Sequence, residues 1–173
     1  GRALGFTLNP PTEDKYSEYK SGLKEEIAML LGGRAAEHII FGDVSGGASN
    51  DIQRATRIAK KMVTQLGMSD KLGPILYGSS HSDDEVFLGR DFNNNRDYSE
   101  QTARIIDEEV HSIIKEAYAL CEKTLKENLD KLHFIADYLD SHEVMDEDQF
   151  REAMEGEATV ETLEAIAERK AQQ

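Results

Sequence analysis

The sequence has no tryptophan, one cysteine and three prolines in 173 residues. A lone cysteine cannot form a disulfide within the chain, so the fold is not a disulfide scaffold and fits a reducing compartment. Basic residues are also few. With 20 of them against 34 acidic residues the net charge is −14, which excludes a generic binder of nucleic-acid phosphates. No apolar run approaches the roughly 20 residues of a membrane span. We expect the opening residues 1–5 to continue a longer sequence rather than to form a signal peptide.

The negative charge is distributed unevenly along the chain. Residues 1–96 contain 13 acidic and 12 basic side chains, whereas residues 97–173 contain 21 acidic and 8 basic ones. The first half is therefore nearly neutral and the second half carries a net charge of −13. This asymmetry indicates that the two halves have different roles.

The apolar pattern predicts a mainly α fold with a C-terminal helical bundle. Apolar residues recur every three or four positions, the spacing of one buried helix face, in residues 23–40, 49–66, 99–125, 129–139 and from 146 onward, and more weakly in 159–170. A few short strands are also expected, at residues 3–8 near the N-terminus and at 74–77 and 86–88. Gly67 is expected to end the second of these helices, and Asp146 and Gln149 have the form of a capping box at the start of the fifth. We divide the chain into a core at residues 1–98, a helical part at 99–155 and a weakly ordered helical tail at 156–173.

A glycine pair lies inside the first predicted helix. Gly32 and Gly33 each cost about 1 kcal/mol relative to alanine in a helix interior. The pair indicates either a kink or the close approach of another backbone, and the sequence does not decide between them.

Histidine spacing excludes a complete zinc-binding helix in this chain. Such a helix needs two histidines four residues apart, and no two of the five histidines have that spacing. His142-Glu143 begins like the motif but has no second histidine, so we interpret it as a surface turn. The glycine-rich loop, residues 42–47, precedes a helix but lacks the Gly-Lys-Ser/Thr ending of a phosphate-binding loop, which favours a structural turn.

Two further residues are interpreted from their positions in the predicted helices. Asp51 falls in the first turn of a predicted helix, where an acid is favoured by the helix dipole by ~0.3–1 kcal/mol. Alternatively it is a metal ligand approached across the glycines before it. Spacing alone favours the dipole interpretation. Cys121 lies on an apolar stripe and is interpreted as a small core residue.

Seven short segments together change the balance between the two interpretations of Asp51, because they occur in one order along residues 1–150. They are RALGFT (2–7), LGGRAAE (31–37), GASNDI (47–52), MVTQLGMS (62–69), LGP (72–74), VFLGR (86–90) and IDEEV (106–110). The ordered set resembles the peptidase domain of the FtsH family, the membrane-anchored ATP-dependent zinc metalloproteases.

The resemblance implies a zinc metalloendopeptidase that degrades unfolded, cytosolic and membrane proteins. It implies membrane spans and a AAA ATPase module upstream, assembly as a homo-hexamer, protein substrates and no nucleic acid. It places the protein in the bacterial inner membrane with this domain on the cytoplasmic face, or alternatively in the mitochondrial inner membrane. The cofactors implied are zinc and the ATP used by the AAA module.

The resemblance also implies roles for particular residues. Asp51 matches the family's aspartate ligand of zinc, Glu37 lies near the site in a supporting role, and Gly5, Phe6 and Thr7 belong to a strand beside which an extended substrate can add. The His-Glu-x-x-His helix, with two ligands and the general base, is expected upstream of Gly1, so no catalytic residue is assigned in this chain.

Without that helix the chain alone is expected to be inactive, since a catalytic zinc takes three protein ligands. The alternative function is a non-catalytic helical module for assembly or adaptor binding, suggested by the acidic second half.

Overall fold

The computed structural model describes residues 19–78 and 97–173. These residues form six α-helices and a short 3₁₀ turn, Gly46–Ala48. The helices are α1 (Lys20–Phe41), α2 (Ser49–Thr64), α3 (Glu100–Lys126), α4 (Leu129–His142), α5 (Glu147–Glu155) and α6 (Val160–Ala171). The prediction of a mainly α fold is confirmed.

No strand is present in the described ranges. The strand expected at residues 74–77 is wrong: this segment is irregular, and Ile75 and Leu76 are each about half exposed. Pro74 has no N–H to donate, and the N–H of Tyr77 donates to the carbonyl of Thr64 at the end of α2 rather than to a neighbouring strand. The strands expected at 3–8 and 86–88 lie outside the described residues.

The chain divides into two compact units, Gly1–Ala55 with Glu116–Gln173, and Thr56–Lys115. The division into 1–98, 99–155 and 156–173 stays a prediction. Among the described residues, no helix is both long enough and apolar enough to span a bilayer.

The first unit is built around helix α1, which packs on α4 and α5, while α5 also packs on α6. Phe150 of α5 is fully buried and lies against Gly32, where a Cβ would collide with its ring. A Cβ on Gly33 would collide with the backbone carbonyl of Met145. Close approach of another backbone is therefore the correct interpretation for Gly33, whereas the neighbour of Gly32 is an aromatic side chain.

The end of this unit has defined anchors. Helix α6 begins with a capping box between Thr159 and Thr162, and its Leu163 is fully buried. The buried Gln149 of α5 donates its side-chain N–H to the carbonyl of Leu163 and to the hydroxyl of Tyr138. Helix α6 thus contributes a side chain to the core. Cys121 is buried as predicted, and burial raises the pKa of its thiol to about 12.

In the second unit, the turn after α2 is shaped by Gly67. Its φ of +64° is left-handed, and a Cβ there would lie 2.8 Å from the Cα of Pro74. Glycine is therefore required for both conformation and space, and the prediction of a stop at this residue is confirmed. Just beyond it, Ser69 donates its hydroxyl to Glu109 of α3 and accepts the N–H of Leu72.

Candidate metal-ligand site at the start of helix α2

The glycine-rich loop is held by one side chain of helix α1. Oε1 of Glu37 accepts the backbone N–H of Ser45, and Oε2 accepts its hydroxyl, both at 2.8 Å. The Ser45 hydroxyl oxygen in turn accepts the N–H of Gly47 and caps the 3₁₀ turn. Bidentate, charge-assisted bonds of this kind fix geometry as well as adding stability. Glu37 therefore defines how the chain enters helix α2.

Asp51 lies in the first turn of α2, directly after this pinned loop. Its side chain is partly buried, and burial is the main cause that raises the pKa of its carboxyl above the ordinary 3.8. Asp146 and, more weakly, Asp148 raise this pKa further, whereas Arg54 and Lys170 lower it. The negative charge of Asp51 is thus disfavoured in the folded chain, and a bound cation would relieve this.

The acids that face Asp51 have fixed positions. Asp146 is the N-cap of α5 and forms the predicted capping box with Gln149, so its carboxylate accepts the Gln149 backbone N–H at 2.9 Å. Lys170 of α6 donates to Asp146 at 3.0 Å and lies 2.9 Å from a carboxylate oxygen of Asp148. Lys170 therefore neutralises part of the negative charge of Asp146 and Asp148.

The chemistry of Asp51 fits a zinc ligand, since a carboxylate oxygen is an accepted donor for this metal. Residues 19–78 and 97–173 contain no group of three or more His, Cys, Asp or Glu side chains that could hold a metal ion. A catalytic zinc takes three protein ligands, so the described part of the chain does not supply the complete set. Gly5, Phe6 and Thr7 lie outside the described residues.

His142, which begins the incomplete histidine motif, has a structural role. Its ring stacks on Tyr138 with centroids 4.0 Å apart, and its Nε2 lies 2.9 Å from Glu164 of α6. Glu143 follows with a φ of +67°, and the N–H of Val144 donates back to the carbonyl of His142. The interpretation of this segment as a turn before the next helix is confirmed.

The sequence did not reveal the ion pairs that hold α2 from its other side. Arg54, three residues after Asp51, pairs with Glu26 of α1 and Glu147 of α5. The i, i+3 spacing places Arg54 and Asp51 on one helix face, which is visible in the sequence. The partners are 28 residues before and 93 residues after Arg54, and periodicity contains no signal for such pairing.

The sequence is similar to that of known proteins over most of its length. The model of Peptidase family M41 matches residues 1–153, and the chain belongs to this family. It is 52% identical over 160 residues to "ATP-dependent zinc metalloprotease FtsH 2" of Alkaliphilus metalliredigens, covering 92% of this chain and 23% of that protein. It is 52% identical over 151 residues to "ATP-dependent zinc metalloprotease FtsH" of Bacillus subtilis, covering 87% and 24%. The chain spans about a quarter of the length of these relatives. The family resemblance seen in the sequence is thereby confirmed.

Proposed function

We propose that this chain is part of the peptidase domain of an ATP-dependent zinc metalloendopeptidase and contributes Asp51 as one zinc ligand. The observation that carries the proposal is the partly buried Asp51 carboxylate at the start of α2, in a chain that belongs to Peptidase family M41. The names of the relatives, which describe ATP-dependent zinc metalloproteases, support the metal and the reaction class.

In this proposal the described residues place a ligand rather than perform the proton transfers. Asp51 binds the metal through a carboxylate oxygen, and Glu37 fixes the loop that leads into its helix through the bonds to Ser45. The chemistry that zinc supplies in such sites is polarisation of the peptide carbonyl and activation of water for attack. Asp51 must be ionised to bind, so its raised pKa makes metal binding weaken as the pH falls.

Two histidine ligands and a glutamate base are proposed to come from a His-Glu-x-x-His helix upstream of Gly1. We propose that the chain alone is inactive, because its described residues contain no group of three metal-ligating side chains. Residues Gly5, Phe6 and Thr7 would form the strand beside which an extended substrate adds.

The remaining parts of the proposal concern the whole protein. We propose membrane spans and an ATP-consuming AAA module upstream, a homo-hexameric ring, and unfolded, cytosolic and membrane proteins as substrates. The bacterial inner membrane, with this domain on the cytoplasmic face, is the proposed location.

A second candidate is a helical module for assembly or adaptor binding that acts without chemistry. The observation that favours it is the net charge of −13 on residues 97–173, in which most of the acidic side chains are exposed. Sedimentation of the isolated chain tests it: self-association or adaptor binding supports this candidate, and a strict monomer without partners counts against it.

The experiment that tests the enzyme proposal compares two substitutions in the full-length parent protein. Asp51→Asn removes the ligand charge, and Asp43→Asn removes a charge from the exposed glycine-rich loop as a matched control. Zinc content and hydrolysis of a denatured protein substrate are measured for both. We expect loss of zinc and of hydrolysis in Asp51→Asn alone. Unchanged zinc and unchanged hydrolysis would remove Asp51 from the site.

A further inference from the structure

Helix α2 is tied to two other helices by the guanidinium of Arg54. Nη1 of Arg54 lies 3.2 Å from Oε1 of Glu147 at the start of α5, and Nη2 lies 3.7 Å from Oε2 of Glu26 on α1. We call these three residues the Arg54 clamp. Because the two nitrogens bind acids from different helices, the clamp fixes the orientation of the guanidinium plane as well as its distance from the two carboxylates.

Burial of Glu147 makes the clamp a strong constraint. Only 11% of the Glu147 side chain is exposed, and burial raises the pKa of its carboxyl, while Arg54 lowers it. A buried carboxylate without a counter-charge is costly, so Glu147 holds Arg54 firmly in place. Arg151 supports the same carboxylate from within α5, at 3.8 Å, and also pairs with the buried Glu25 of α1 at 3.2 Å.

The position of the clamp relates it to Asp51. Arg54 is one helical turn after Asp51 on the same face of α2, so a rotation or shift of this turn moves both side chains together. On the N-terminal side of Asp51, Glu37 holds the loop that leads into α2 through its bonds to Ser45. The first turn of α2 is thus fixed at its beginning by Glu37 and at its end by Arg54.

We propose that Arg54 is a positioning residue for the Asp51 carboxylate, held by Glu26 and Glu147. The inference rests on the proposed function, in which Asp51 binds zinc. A metal ligand must be held within about 0.5 Å of its working position, and outer groups that orient ligands typically change metal affinity when removed. Arg54 performs this role through the backbone of α2, because its guanidinium is held by acids of two other helices one turn after Asp51.

Arg151 provides a matched control for the structural contribution of the ion pairs. It is an arginine of similar exposure, 35% against 44% for Arg54, and it also binds Glu147. It lies on α5, not on the helix that carries Asp51. Both Arg54→Met and Arg151→Met leave a buried glutamate with less counter-charge and lower stability, but only the first loosens the turn that holds the ligand.

The experiment measures the zinc dissociation constant of the full-length parent protein by competition with a chromophoric chelator. We expect Arg54→Met to weaken zinc binding about ten-fold, Arg54→Lys to recover part of this loss, and Arg151→Met to leave the constant within about two-fold of the parent value. Thermal unfolding of the zinc-free proteins, measured in parallel, reports the structural loss common to both methionine variants.

The outcomes separate this inference from the proposed function. Equal zinc affinities for Arg54→Met and the parent, or equal losses in Arg54→Met and Arg151→Met, would overturn the positioning role. In the same assay Asp51→Asn tests the ligand itself. If it weakens zinc binding while Arg54→Met does not, the proposed function stands and the inference fails. If Asp51→Asn has no effect, the proposed function fails first.

Discussion

Substitution of Gly33 by alanine tests how helix α5 is placed on helix α1. In an exposed helix interior this change is stabilising by about 1 kcal/mol, because alanine has the better helix propensity. Here a Cβ would collide with the carbonyl oxygen of Met145, which immediately precedes Asp146, the N-cap of α5. The obstacle is backbone rather than a flexible side-chain end, so residues 143–145 must shift to admit a methyl group.

The expected magnitude follows from these two opposing effects. Overpacking of this kind costs typically about 1–3 kcal/mol, and the rigid carbonyl places Gly33 at the upper end of that range. Subtracting the propensity gain leaves a net destabilisation of roughly 2 kcal/mol. For a domain of this length that corresponds to a fall in melting temperature of roughly 4–8 °C.

The assay is thermal and urea unfolding followed by circular dichroism at 222 nm, which suits a helical chain without tryptophan. Gly46→Ala is the control, because no atom lies within 4 Å of a Cβ at that position and its φ is not left-handed. We expect the control to change stability by less than about 0.5 kcal/mol. A Gly33→Ala variant that is more stable than the parent would refute the close approach and restore the kink.

Three further predictions concern the turns around α2. Asp51→Asn should stabilise the metal-free chain at pH 7. The folded-state pKa of Asp51 is raised above 3.8, so its ionised form disfavours folding, and the stability advantage of asparagine should fade as the pH falls to 3.8. Urea unfolding with a chelator at pH 7 and pH 4 measures this advantage, and an equal advantage at both pH values would contradict the prediction. Glu37→Gln should speed amide hydrogen exchange at Ser45 and Gly47 and cost about 1 kcal/mol, because a charged acceptor is lost at an exposed site; unchanged exchange would show that Glu37 does not hold the loop. Gly67→Ala should lower the melting temperature by more than the few degrees expected for 1 kcal/mol, because its φ is +64°; a variant as stable as the parent would remove the need for a left-handed residue there.

Local signals in the sequence predicted most of the helical architecture. The three-and-four spacing of apolar residues located the helices, and their buried positions include Ile27 and Leu30 of α1. The pattern of Asp146 and Gln149 predicted the capping box, and Gly67 the turn after α2. Each of these signals lies within a few residues of the structure that it predicts, so it can be recognised without knowledge of the three-dimensional fold.

Interactions between distant segments could not be predicted in this way. The short apolar segment at 74–77 has strand composition, but a strand needs a partner, and the Tyr77 N–H binds Thr64 instead. The glycine pair required knowledge of what lies opposite it, namely Phe150 and the Met145 carbonyl. The Arg54 clamp joins three helices, and the sequence contains only the arginine, not its position beside two glutamates.

The candidate site shows the same division. Asp51 at a helix start was identified from sequence, with the helix dipole as the simpler explanation of its position. The structure adds that Asp51 is partly buried and lies near Asp146. Both raise the pKa of its carboxyl, whereas a helix N-terminus alone favours the ionised form. The structure also shows the two bonds by which Glu37 holds the loop.

The central claim is that the Asp51 carboxylate binds zinc in the parent protein. Crystallographic data collected on either side of the zinc absorption edge, from the full-length parent protein or its complete peptidase domain, would locate the metal by its anomalous signal. We predict one zinc with a carboxylate oxygen of Asp51 at about 2.0–2.2 Å and two histidines from residues upstream of Gly1. A zinc whose ligands do not include Asp51 would contradict the account.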